Sequence, residues 1–260
     1  MRHETFARVD GEGPPLVLIH GVGLDHTMWD LVAGRLAEQR TVIRYDMIGH
    51  GRTPNRPGNR RVEDFVAELV QVLHTQGLNR PDVAGISMGG MVALAAAVRN
   101  TGLFRRMALL NTVFERTPQQ ITALLSRLAA AEAGGMAAVA DTAIDRWFDS
   151  PWQVEHPDRV LAVRASLMAT DLAGYLKAYR LFINGDPLVP AQVAQIQDPV
   201  LAMTGELDVG STPEMATALA GVVPNGQARV LDGLHHLPPI EEPDVFATAL
   251  TDFLEMEMTP

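Results

Sequence analysis

The segment Gly85-Ile86-Ser87-Met88-Gly89-Gly90 carries the strongest chemical signal in the sequence. A serine with glycines two residues before and two after, at the end of an apolar run and the start of a helical pattern, reads as a nucleophile elbow. There a strand turns sharply into a helix, and the strained serine presents its hydroxyl above the sheet edge. Glycine is required on both sides because a Cβ would collide with the neighbouring strand and helix. The helix opening at Met88 also aims its N-terminal amides at any negative charge that forms beside Ser87.

A serine hydroxyl is a weak nucleophile at neutral pH and needs a base, itself oriented by an acid. In a strand–turn–helix architecture of this kind the acid and then the histidine follow the serine in chain order, each just past a strand. Val200–Thr204 leads into Gly205-Glu206-Leu207-Asp208, which offers Asp208 as the acid with Glu206 as its local rival. Ala228–Leu231 leads into Asp232-Gly233-Leu234-His235-His236-Leu237-Pro238, and spacing alone does not separate His235 from His236. Acyl transfer further needs two amides for an oxyanion: Met88, next to the nucleophile, and Val22, in the loop His20-Gly21-Val22-Gly23 after an earlier strand. That glycine run is a poor dinucleotide loop, because His26 stands where a third glycine belongs. With no P-loop, no His-Glu-x-x-His and scattered histidines, neither a metal nor a cofactor is expected.

The elements that must hold these residues are legible as well. Val17–Ile19, Thr41–Tyr45, Asp82–Gly85, Met107–Leu110, Val200–Thr204 and Ala228–Leu231 suit buried strands. Between them, Val62, Phe65, Val66, Leu69, Val72 and Leu73 recur at helical spacing, and Met28–Glu38, Gly89–Val98, Pro213–Ala220 and Asp244–Leu254 also read as helices. Alternating strands and helices predict an α/β fold with a mainly parallel sheet covered on both faces. The alternation stops near Asn111 and resumes near Pro199. The stretch between holds four helical patterns (119–133, 135–148, 157–169, 172–182) and half of the chain's aromatic residues. This divides the chain into a core, 1–113 and 191–260, and a helical cap, 114–190.

Composition narrows the partners. Without cysteine, disulfides and thiolate chemistry are excluded, which suits a cytoplasmic location. The N-terminal residues show no apolar signal segment, and no apolar run approaches the roughly 20 residues of a membrane span. A net charge of −10 with no basic stripe argues against nucleic acid or anionic lipid, leaving a small-molecule substrate and a monomer or homodimer.

Taken together, His20-Gly21, Asp46-Met47-Ile48-Gly49-His50-Gly51-Arg52-Thr53, the serine segment, Gly205–Asp208 and His236-Leu237-Pro238 resemble the α/β-hydrolase superfamily in order and content. The resemblance implies that the histidine before Leu-Pro is the base, which selects His236, and that the cap roofs the substrate pocket. The segments Asp25–Trp29, Gly85–Met91 and Asp171–Tyr175 are similar to those of 3-oxoadipate enol-lactonases and ring-cleavage-product hydrolases. A serine at the elbow, where haloalkane dehalogenases and epoxide hydrolases carry a carboxylate, implies acyl transfer. The expected reaction is hydrolysis of a small ester or lactone by Ser87, His236 and Asp208, with C–N or C–C cleavage of a ring-cleavage product as the alternative bond. A ligand-binding protein on the same fold is the alternative of another class. Under a cap, Trp147 and Trp152 would wall the pocket, and Arg146 and Arg180 would pair with a substrate carboxylate.

Overall fold

A computed structural model describes residues 5–184 and 190–256. Seven strands form one sheet: β1 (Ala7–Asp10), β2 (Pro15–Ile19), β3 (Thr41–Tyr45), β4 (Asp82–Ile86), β5 (Met107–Leu110), β6 (Val200–Gly205) and β7 (Gly226–Leu231). Their order across the sheet is β1-β3-β2-β4-β5-β6-β7, and all pairings are parallel except that of β1 with β3. Every residue of β4, β5 and β6 is buried, as a sheet covered on both faces demands. The six predicted strands are all present. β1 is an addition: a short edge strand, partly exposed and without an apolar run, fixed mainly by backbone pairing to β3.

The helices of the core are α1 (Asp30–Ala37), α2 (Val62–Thr75) and α3 (Met88–Arg99). In α2 the six apolar residues at helical spacing are all buried, so periodicity alone located its packing face. Between β5 and β6 come α4 (Pro118–Trp147), α5 (Ser150–Glu155), α6 (Pro157–Ala169), α7 (Leu172–Asn184) and α8 (Pro190–Val193). The sheet then resumes, with α9 (Pro213–Val222), α10 (Pro238–Glu241) and α11 (Pro243–Glu255) following. The expected cap boundary at 190 adjoins residues 185–189, which lie outside the described residues.

α4 joins two of the predicted helices across a break at Gly135, where φ is +66°. It is long and apolar enough, by length and composition, to cross a membrane. Here it packs against α6 and α7, and its outer side carries Glu132 and Asp141, which pair with Arg180 and Arg164.

Short polar bonds seam the inserted helices to the core. The Thr170 hydroxyl donates to the Gly23 carbonyl at 2.8 Å, and the Ser166 hydroxyl to Asp25 at 3.1 Å. Arg159 donates to the carbonyls of Ile240 and Glu241 at 2.9 and 3.1 Å. The insert therefore rests directly on the loop after β2 and on α10.

Candidate active site

Ser87 ends β4 and precedes α3 with φ +55° and ψ −116°, a conformation that costs a non-glycine residue about 1–3 kcal/mol. The turn is held by the Ser87 amide, which donates to the Leu110 carbonyl of β5 at 2.8 Å. The flanking glycines are sterically required. A Cβ on Gly85 would overlap the Gly89 carbonyl, and one on Gly89 would overlap the Ile19 carbonyl of β2. The Ser87 hydroxyl has no protein hydrogen-bond partner among the described residues and borders a cavity of about 100 Å³.

Asp208 lies in the loop after β6, almost wholly buried and fully engaged. One oxygen accepts the amides of Gly210 (2.8 Å) and Ser211 (3.1 Å); the other accepts His236 Nδ1 (2.7 Å) and Asn111 Nδ2 (2.8 Å). Burial alone would raise its pKa. The His236 charge and the hydrogen bonds from His236, Asn111 and Gly210 outweigh burial and hold it below the usual carboxylate value. The local rival, Glu206, instead accepts the Gly233 amide at 2.8 Å and shapes the loop after β7.

The adjacent histidines part company. His235 turns to Glu241: its amide and Nδ1 both reach that carboxylate, at 2.9 and 3.0 Å. His236 stacks under Trp147, with ring centroids 5.6 Å apart and planes 19° from parallel, and borders the same cavity as Ser87. With Nδ1–H donated to Asp208, the neutral His236 ring carries its lone pair on Nε2.

Val22 borders the cavity, and its amide has no protein acceptor among the described residues. Met88 is the first residue of α3, so its amide is one of those without an intrahelical acceptor. The loop bearing Val22 is fixed by His20, which accepts the Met47 amide at Nε2 (2.9 Å) and donates from Nδ1 to the Gly21 carbonyl (2.8 Å). Burial depresses the pKa of His20, in keeping with this neutral tautomer. Arg116, Arg127, Arg146 and Trp147 also line the cavity, together with Tyr179 and Phe182.

Two expected substrate contacts lie elsewhere. Trp152 stacks on Phe148 (4.5 Å, 9°) and packs against His156 (4.7 Å), away from the cavity lining. Arg180 is half-exposed and pairs with Glu132 on the outer side of the insert. Neither lines the Ser87 cavity, a distinction that residue type does not carry. Sequence reasoning also missed Asn111 and Arg127. Asn111 follows β5 with φ +44°, a conformation asparagine tolerates and a signal at a strand end. Arg127 shares one face of α4 with Gln120 and Leu124, so its helical spacing from them was the available clue.

Asp25, His26 and Asp46 also bring potential ligand atoms within 4.8 Å of one another. Their oxygens are occupied by protein donors: Asp46 accepts from His26 N, His26 Nδ1 and Arg52 N, and Asp25 accepts from Thr27 and Ser166. The cluster ties loops together.

Known proteins place the chain in a family. A model described as the alpha/beta hydrolase family matches residues 16–249. Over 247 residues the sequence is 32% identical to the (E)-2-((N-methylformamido)methylene)succinate hydrolase of Acinetobacter baylyi, covering 94% of this chain and 92% of that one. It is 26% identical to 3-oxoadipate enol-lactonase 1 of the same organism, covering 93% and 89%. The crystal structure of the enol-lactonase from Burkholderia xenovorans LB400 superposes with a TM-score of 0.88 at 28% identity, over 97% of this chain and 96% of that one. The chain belongs to the alpha/beta hydrolase family of enzymes and resembles its enol-lactonase and ring-cleavage-product hydrolase members.

Proposed function

We propose that the protein is a serine hydrolase that cleaves a small carboxylic ester or enol-lactone through an acyl-enzyme. The observation that carries this reading is the convergence of the strained Ser87 and the Asp208–His236 pair on one cavity. His236 Nε2 takes the hydroxyl proton as Ser87 Oγ attacks the acyl carbon. Asp208 holds the ring in the useful tautomer and stabilises the imidazolium. The amides of Val22 and Met88 receive the oxyanion; a single such donor is worth about 3–4 kcal/mol in the transition state. His236 then returns its proton to the leaving oxygen, and a water activated by the same ring releases the carboxylic acid. The scheme uses no metal or cofactor. Residues 114–190 act as a cap, with Trp147 and Arg146 contacting the substrate, in a cytoplasmic enzyme of small-molecule catabolism.

A second reading keeps the triad and changes the bond to C–N. It is favoured by the 32% identity to a relative named for hydrolysis of an N-methylformamido-methylene succinate. A substrate panel separates the two. Turnover of small esters and enol-lactones supports the first reading, and turnover confined to enamides moves the assignment to the second. Covalent capture of a fluorophosphonate at Ser87 is expected under either. No capture together with no turnover of any acyl compound would leave a ligand-binding protein on this fold.

A further inference from the structure

Helix α7 divides two cavities. Tyr179 and Phe182, on one face, border the space before Ser87. Lys177, Arg180 and Leu181, on the other face, border a cleft of about 440 Å³ whose remaining walls come from the start of α2 and the end of α3. Five cations, Arg60, Arg61, Arg99, Lys177 and Arg180, line this cleft against one carboxylate, Glu63. The chain as a whole carries a net charge of −10, so the gathering runs against the molecule's own balance. No single stretch of sequence announces it, because the cations come from three separate segments.

Two of the five are neutralised: Arg99 pairs with Glu63 at 2.9 Å, and Arg180 pairs with Glu132. Among the described residues Arg60, Arg61 and Lys177 form no ion pair with a carboxylate. Arg60 donates to Asn55 Oδ1 at 2.8 Å and to the Arg56 carbonyl at 2.7 Å, and Lys177 Nζ donates to that same carbonyl at 2.8 Å. The exposed Arg61 guanidinium makes no protein hydrogen bond among the described residues. Burial lowers the pKa of Arg60, and the charge of Arg56 adds to it against the opposing pull of Asp64 and Glu68. α2 also opens at the cleft, and the positive end of its dipole adds to the field, offset in part by Glu63 and Asp64 in its first turn. Like charges held in a concave wall repel one another and focus their field on whatever anion enters.

We infer that this cleft is a receptor for a small diphosphate-bearing compound, which bridges the start of α2 to α7. Its volume is that of a small-ligand pocket. A single phosphate offers too few oxygens for three spaced donors, whereas two linked phosphoryl groups can engage Arg60, Arg61 and Lys177 together through charge-assisted bonds. Val62 and Leu181, both buried, give an organic remainder an apolar strip to rest on. Occupancy would tie α7 to α2 and so stiffen the wall that Tyr179 and Phe182 present to the Ser87 cavity. The inference is independent of the hydrolase reading.

Calorimetry on the unaltered protein with inorganic pyrophosphate, ADP and inorganic phosphate tests the receptor. Pyrophosphate and ADP are expected to bind at least about tenfold tighter than phosphate. R61Q or K177Q should each weaken pyrophosphate at least about tenfold, the loss typical of a charged hydrogen-bonding partner. R61Q removes an exposed side chain with no protein partner, so it leaves the fold intact if K177Q does not. R229Q, which removes the same charge from the Asp252 pair outside the cleft, should leave affinity unchanged. Pyrophosphate should also slow hydrogen exchange in α7 of the unaltered protein and not of R61Q. No binding, equal affinity for phosphate and pyrophosphate, or an equal loss in R229Q overturns the receptor. Binding without slower exchange in α7 overturns the bridge.

Discussion

Two aspartate–histidine pairs, each with a buried carboxylate, lie near the ends of the sheet strands, and their contact geometry is almost the same. His26 Nδ1 meets Asp46 at 2.8 Å, and His236 Nδ1 meets Asp208 at 2.7 Å. What surrounds them differs. Asp46 is wrapped by backbone amides of His26 and Arg52, and His26 packs against the Phe6 ring at 4.8 Å, so that pair holds the loops after β2 and β3 together. His236 instead borders a cavity that also contains a strained serine. An Asp–His contact is thus a common way to fix a loop. It becomes catalytic machinery only where the second ring nitrogen is left available beside a nucleophile.

Exchanging the residues of the two pairs sharpens the contrast. S87A or H236A is expected to lower kcat by roughly 10⁶, the loss seen when a triad acts as a unit, whereas H26A should leave kcat within a few-fold of the unaltered enzyme. Steady-state kinetics on a labile ester decides this, and a loss below tenfold for S87A would break the distinction. D208N should cost about 10⁴ in kcat by freeing the wrong tautomer, and about 3 kcal/mol of stability as a fully engaged buried carboxylate is lost. D46N should share only the second effect: activity per folded molecule is kept while stability falls by a similar amount. Denaturant unfolding and steady-state kinetics of both variants read that difference.

A third buried carboxylate extends the comparison to pH. Among the described residues Glu68 accepts only neutral donors, the Ile48 amide and the Thr5 hydroxyl, both at 2.9 Å; burial outweighs them and the nearby charges of Arg56 and Arg60 and lifts its pKa to about 7. Asp208, with a histidine partner, is pushed the other way. Between its unfolded value and about pH 7 the folded chain keeps a Glu68 proton that the unfolded chain releases. Its stabilising share is therefore full at acid pH and lost as pH rises through 7, by about 3 kcal/mol. E68Q should lack this slope, so its stability relative to the unaltered protein rises between pH 5 and 8; parallel curves would refute the shift. The smallest effect is expected for N111A. Removing one donor to Asp208 should cost about 1–2 kcal/mol of stability and weaken catalysis less than D208N does.

The core fold was legible because its signals are local and periodic. Apolar runs ending in glycine or aspartate mark β4 and β6, and six residues at helical spacing mark the buried face of α2. β1 was not legible, since an edge strand with one neighbour needs no apolar run. At the site, Ser87 and Asp208 announced themselves by position after strands, whereas choosing His236 over His235 needed the family resemblance. The contact that occupies His235, with Glu241, joins a loop to a helix that no pattern pairs in advance. The insert was the least readable region. Trp147 and Trp152 lie five residues apart and look equivalent in sequence, yet one caps His236 and the other stacks on Phe148. Which face of an inserted helix meets the core depends on its docking angle, and the sequence does not encode that locally.

The Thr170 hydroxyl reaches the carbonyl of Gly23, the residue after Val22. That carbonyl belongs to the peptide joining Gly23 to Leu24, and the soft dihedrals of Val22 and Gly23 lie between it and the Val22 N–H. The bond therefore tethers α6 to the same short loop without locking the Val22 amide to it. Helices transplanted from a relative without this threonine would rest on that loop with one tie fewer.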